Sequence, residues 1–107
     1  MADDQPVELV LTCGSWQEAQ RIVDKLLADK LIACAEFIPI KSKFSWKHKL
    51  EEADEIKLIM LSKADFFQPV EKVVAKLHSY ETFVLKAIPV LHLSHMAKAW
   101  LKDSTTN

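Results

Sequence analysis

Residues 7 to 12, VELVLT, form a short aliphatic run closed by Cys13-Gly14, a pattern that predicts a buried strand. Ser15 and Glu18 follow at capping-box spacing, where each side chain satisfies a backbone N–H at a helix start. Ala19, Ile22, Val23, Leu26 and Leu27 then recur three and four residues apart, with Gln17, Gln20, Arg21, Asp24 and Lys25 between them. This predicts a helix with one apolar face. After Lys30 the period becomes two. Ile38, Ile40, Ser42, Phe44 and Trp46 alternate with Lys41, Lys43, Ser45 and Lys47, as in a long two-faced strand. KLEEADEIKLIMLS returns, its second half apolar on both faces like a central strand. A tight turn at Lys47-His48 would place Lys43 opposite Glu52 and Lys41 opposite Asp54, each pair worth roughly 0.2–1 kcal/mol.

Asp65 with Gln68 offers a second cap, and Phe66, Val70, Val73, Val74 and Leu77 a second helical stripe, with Pro69 tolerated in the first turn. TFVLKAIPV, residues 82 to 90, reads as a last strand ended by Pro89. SHMAKAWLKD closes the chain as a short helix, with Trp100 and Leu101 expected to dock onto the body. The order strand, helix, strand, strand, helix, strand defines an α+β, ferredoxin-like βαββαβ arrangement: an antiparallel sheet with helices on one face and a long hairpin between the second and third strands. One domain over residues 1–107 is expected, with 1–6 and 103–107 as flexible tails. The uncovered sheet face and the hairpin need a partner, and a closed symmetric oligomer supplies one.

Composition narrows the function. Net charge is −1, so no overall field draws in nucleic acid or an anionic membrane surface. KSKFSWKHK, residues 41 to 49, mixes lysines with aromatics in the manner of a nucleic-acid track, but LEEADE follows and cancels its charge. Nucleic-acid readers of this fold carry aromatics on the first and third strands, where VELVLT and EIKLIMLS have none. Phe44 and Trp46 are therefore expected to pack against a neighbouring subunit. No apolar run approaches the roughly 20 residues needed to span a bilayer. The polar start MADDQP is unlike a leader, and the two cysteines, Cys13 and Cys34, are too few for a disulfide scaffold. Together these point to a mature start and a cytoplasmic protein. A single glycine, Gly14, excludes glycine-rich phosphate loops.

At KLIACAEFIPIKSKFSWKHKLEEADEI, with LHSYE and AIPV further on, the sequence resembles the CutA family of divalent-cation tolerance proteins. Leu31, Cys34, Ile38, Pro39, Ser42, Phe44, Trp46, Lys49, Glu55, His78, Tyr80, Glu81, Pro89 and Trp100 carry the resemblance, which runs from Val7 to about Leu101. It implies a ferredoxin-like protomer, a tight homotrimer whose hairpins reach across subunits, a likeness to PII signalling proteins, and a link to copper and other divalent metals. The sequence departs from the family pattern at Ile40 (usually glycine), Leu61 (lysine), Ser79 (proline) and Phe83-Val84 (proline-glutamate).

The candidate metal ligands are Cys34, a soft thiolate donor or else a small buried hydrophobe, and His78. Trp46, Tyr80 and Glu81 are candidates for an inter-subunit cleft. Cys13 lies near a helix start, where a thiolate is favoured. His92 and His95 are spaced like two ligands on a helix but have no evident third and read as surface residues. No nucleophile, base and orienting residue assemble, so the expectation is a non-enzymatic protein with no required cofactor and copper or another divalent ion as its candidate ligand. The competing expectation is a PII-like small-molecule sensor or protein-interaction module without a direct metal role.

Overall fold

A computed structural model of the chain describes residues 4–105. Its elements are β1 (Pro6–Cys13), α1 (Trp16–Ala28), β2 (Cys34–Trp46), β3 (Lys49–Lys63), a 3-10 turn (Ala64–Phe66), α2 (Phe67–Leu77), β4 (Leu85–Pro89) and α3 (His95–Ser104). The four strands form one sheet in the order β2-β3-β1-β4, antiparallel at every pairing. Val7, Leu9, Leu11 and Cys13 of β1 alternate inward with Leu58 and Met60 of β3 and meet Ala19, Ile22, Val23 and Leu26 of α1 and Val70 and Val74 of α2. That single layer of helices and one sheet face is the core.

The hairpin register is the one the charges foretell. Lys41 faces Asp54 and Lys43 faces Glu52, and the Lys41–Asp54 pair closes at 3.0 Å. β1 ends opposite Ile56, so residues 40 to 55 project beyond β1 as a bare two-stranded ribbon, about 20 Å long at strand rise. The overhang explains a radius of gyration of 14.4 Å, against about 13 Å for a compact chain of this length.

Several expectations are corrected. Phe66, not Asp65, is the N-cap of α2, because the chain enters that helix through the 3-10 turn. β4 begins only at Leu85, since Phe83 turns in to stack on the His78 ring. Leu101 is buried, but Trp100 is 45% exposed. The polar tail starts later than residue 103: α3 runs to Ser104, and the buried Thr105 donates its hydroxyl to the Leu101 carbonyl at 2.6 Å. At the other end Pro6 already opens β1, and the Gln5 side chain donates to the Val90 carbonyl at 2.9 Å. The remaining tail positions, 1–3 and 106–107, lie outside the described residues.

With so little glycine, the left-handed positions fall on other residues. Lys30 (φ 59°) ends α1 in a Schellman motif, its N–H donating to the Leu27 carbonyl and that of Leu31 to the Leu26 carbonyl. Lys47 (φ 50°) and His48 (φ 67°) make the hairpin turn, a geometry that favours Asn-Gly. Replacing Lys47→Asn together with His48→Gly should relieve that strain and stabilise the fold by about 1 kcal/mol, read as a rise in Tm. An unchanged or lower Tm would show that the turn carries no strain.

Candidate functional site

The site is built where β1 ends and α1 begins. Ser15, extended at the N-cap, accepts the Glu18 N–H on its hydroxyl at 3.1 Å, the first half of the expected capping box. The second half is diverted. Instead of returning to the Ser15 N–H, the buried Glu18 carboxylate accepts the Gly14 N–H at 2.9 Å on one oxygen and the Ser79 N–H at 2.6 Å on the other. The loop after α2 is thereby tied to the start of α1.

His78 sits inside this tie, its side chain fully enclosed. Its Nε2 is 2.8 Å from the Thr12 carbonyl, which only accepts, so Nε2 carries the proton. Nδ1 accepts the Tyr80 N–H at 3.0 Å and lies 3.8 Å from Glu18. The ring rests between Tyr80 (centroids 4.9 Å apart) and Phe83 (5.4 Å). Tyr80 donates its hydroxyl to the buried Glu55 carboxylate at 2.5 Å. It crosses so close to Gly14 that a Cβ there would meet the phenol oxygen at 3.1 Å, which accounts for the chain's one glycine.

Cys13 completes the cluster. Burial, then the charges of Glu18 and Glu55, push its thiol up to about 12. Burial also raises Glu18, but hydrogen bonds from Ser79 and Gly14 and the nearby His78 ring outweigh it and leave that carboxyl below its usual 4.5. Burial and Glu55 together raise the Tyr80 phenol, which stays a donor.

Ligand atoms of Cys13, Glu18 and His78 lie within 4.8 Å of one another, a sulfur, an oxygen and a nitrogen that one ion could bridge. The donor types fit a thiophilic metal. Each is already engaged, however, so an ion must displace the thiol proton and the Tyr80 N–H, and binding is correspondingly weakened.

Of the residues singled out from sequence, His78 and Tyr80 fall in this cluster, and Glu81 is exposed on the same loop. Cys34 does not join them. It pairs with Leu61, whose row on β1 is Glu8, about 13 Å along the strand from the Thr12 that holds His78. Trp46 is at the hairpin tip, beneath Lys47 at 5.7 Å, about 20 Å along β2 from the row of Glu55. His92 and His95 are exposed, and only His95 lies in α3. Cys13, Glu18 and Glu55 were missed as site residues. The signals were a cysteine in phase with Val7, Leu9 and Leu11, and a capping-box glutamate that need not serve the cap.

These features define a two-layer α+β protein with an overhanging β-ribbon and a buried thiol, imidazole and carboxylate cluster at the β1–α1 junction. The family model for the CutA1 divalent ion tolerance protein matches residues 7–104, and the chain belongs to that family. It is 40% identical over 82 residues to the divalent-cation tolerance protein CutA of Archaeoglobus fulgidus, covering 77% of this chain and 80% of that one. The solved structure of the periplasmic divalent cation tolerance protein CutA from that organism superposes with a TM-score of 0.90 at 34% identity, over 92% of this chain and 97% of that one. The CutA1 structure from Oryza sativa gives 0.93 at 23% identity, covering 98% and 97%, a likeness of fold.

The periplasmic relative overturns the cytoplasmic expectation. The free thiols never bore on the compartment. By register Cys13 and Cys34 stand about 16 Å apart along the strands, beyond disulfide reach in any redox environment. Among the described residues no helix is long and apolar enough to cross a membrane.

Two outcomes follow from the cluster. Under native conditions at pH 8, iodoacetamide should leave Cys13 unmodified and should alkylate it once guanidinium is added, scored by peptide mass spectrometry; native labelling would show the pocket open. Because Glu18 titrates below its ordinary value, its contribution to stability is present above pH 4.5 and lost as pH falls below it. Glu18→Gln should cost about 1–3 kcal/mol at pH 7 and flatten the dependence of Tm on pH in that acid range; a parallel acid profile would exclude Glu18 as its source.

Proposed function

We propose that this protein serves divalent-cation tolerance as a non-enzymatic, trimeric protein with a ferredoxin-like protomer, binding copper or another thiophilic ion weakly at Cys13, Glu18 and His78. The observation that carries the metal assignment is the convergence of those three ligand atoms within 4.8 Å. It replaces Cys34 by Cys13 as the thiol partner of His78. Against an enzymatic role stands the Cys13 thiol, protonated at neutral pH and fully buried, a poor nucleophile.

The trimer is supported by what the protomer leaves uncovered. Ile38 and Ile88, which alternate onto the sheet face away from α1 and α2, are 40% and 45% exposed, and Phe44, Trp46 and Leu50 of the ribbon are 41%, 42% and 91% exposed. A ribbon that overhangs by about 20 Å can bring Trp46 of one protomer to Tyr80 and Glu81 of another, forming an inter-subunit cleft. A PII-like sensor is the second reading, favoured by a cavity of about 420 Å³ between the start of α1 and the base of the hairpin.

Titration of Cu(I) and Zn(II) against a competing chelator tests the metal site. Cys34→Ala should bind like wild type and Cys13→Ala at least tenfold more weakly. Equal affinities for all three proteins would remove the cluster from metal binding.

A further inference from the structure

The groove between α1 and α2 encloses about 520 Å³, within the range of small-molecule sites. The Glu18 tie fixes one end of it: Glu18, in the first turn of α1, accepts the Ser79 N–H, just beyond α2, at 2.6 Å. Arg21 stands three residues into α1 from that tie and Lys76 three residues back into α2. Each is about one turn away, so the two cations line the same end of the groove from opposite walls. Neither takes part in an ion pair among the described residues.

The rest of the lining restricts the ligand. Lys25, further along α1, is already neutralised by Asp29 at 3.2 Å. Asp24, one turn beyond Arg21, makes no ion pair among the described residues. Val73 and Leu77 of α2, half-buried against the core, give the groove an aliphatic strip. Two unpaired cations thus share the groove with one unpaired carboxylate and an apolar surface. A simple amine would be repelled by Arg21 and Lys76, and a simple carboxylate would be opposed by Asp24. A ligand that carries both charges on one carbon, with an aliphatic side chain, satisfies all of these groups. The Arg21 guanidinium suits its carboxylate best, as a planar fork that can bind both oxygens.

We propose that the α1–α2 groove binds a free aliphatic α-amino acid, its carboxylate held by Arg21 and Lys76, its ammonium by Asp24 and its side chain on Val73 and Leu77. The site uses neither Cys13 nor His78 and does not depend on a metal there. It also shares no lining residue with the cavity at the base of the hairpin.

Calorimetry of the full chain at pH 7 with leucine, glycine, 4-methylpentanoate and 3-methylbutylamine separates the three contributions. Leucine binds wild type saturably, whereas glycine, without the side chain, and 3-methylbutylamine, without the carboxylate, do not. 4-Methylpentanoate, which lacks the ammonium, binds roughly two- to fivefold more weakly than leucine. Arg21→Gln and Lys76→Gln each weaken leucine about fivefold. Lys72→Gln, the same charge change on an exposed α2 residue outside the groove, leaves leucine binding as in wild type. Asp24→Asn weakens leucine but leaves 4-methylpentanoate unchanged or tighter, which ties Asp24 to the ammonium. All of these side chains are exposed, so the variants keep the fold. Absence of saturable leucine binding overturns the proposal, as does 3-methylbutylamine or 4-methylpentanoate binding as tightly as leucine. Arg21→Gln matching wild type, or Lys72→Gln weakening leucine as much as Arg21→Gln does, overturns it equally.

Discussion

The Glu18 side chain holds together two parts of the chain 61 positions apart, and most of the local architecture follows from that one tie. A buried carboxylate needs donors for both oxygens, and here they are the Gly14 and Ser79 N–H groups. Securing Gly14 sets the turn from β1 into α1. Securing Ser79 draws the loop after α2 down onto it, which encloses His78 and carries Tyr80 across Gly14 to Glu55. In the resembled family pattern position 79 is proline, which has no N–H. The serine therefore gives Glu18 a donor that the usual residue could not.

The hairpin follows a different economy. Its visible ion pair, Lys41–Asp54, has side chains 64% and 84% exposed, and such pairs contribute about 0–1 kcal/mol. An isolated two-stranded ribbon is marginal in water, and this one also presents Phe44, Trp46 and Leu50 to solvent. The charges thus select the register, while the packing that would stabilise the ribbon is not found among the described residues of its own chain. That division of labour is why ionic pattern told so much about pairing and so little about what the arm is for.

The fold was legible because its signals are local or periodic. Period-two alternation, the Ser15–Glu18 spacing and the matched charges of the hairpin each act over a few residues or across one turn. The site was only half legible, for the opposite reason. Cys34 and His78 stand out in sequence, but which cysteine meets the histidine depends on strand register over the whole sheet, and register puts Cys13 there. Glu18 read as a capping residue, and nothing in its neighbourhood signalled that its carboxylate would reach residue 79. Phe83 read as part of the last strand; its stacking on His78 arises from a loop whose path Glu18 dictates.

Tyr80 joins the histidine of the cluster to a second buried carboxylate. Its N–H occupies His78 Nδ1, the lone pair that an ion at the Cys13 cluster requires, and its hydroxyl occupies one oxygen of the buried Glu55. An ion that takes Nδ1 must displace the Tyr80 N–H, in the residue whose phenol seals Gly14 and bonds Glu55. Tyr80 is thus the residue at which metal occupancy of the cluster would first be felt by the rest of the fold.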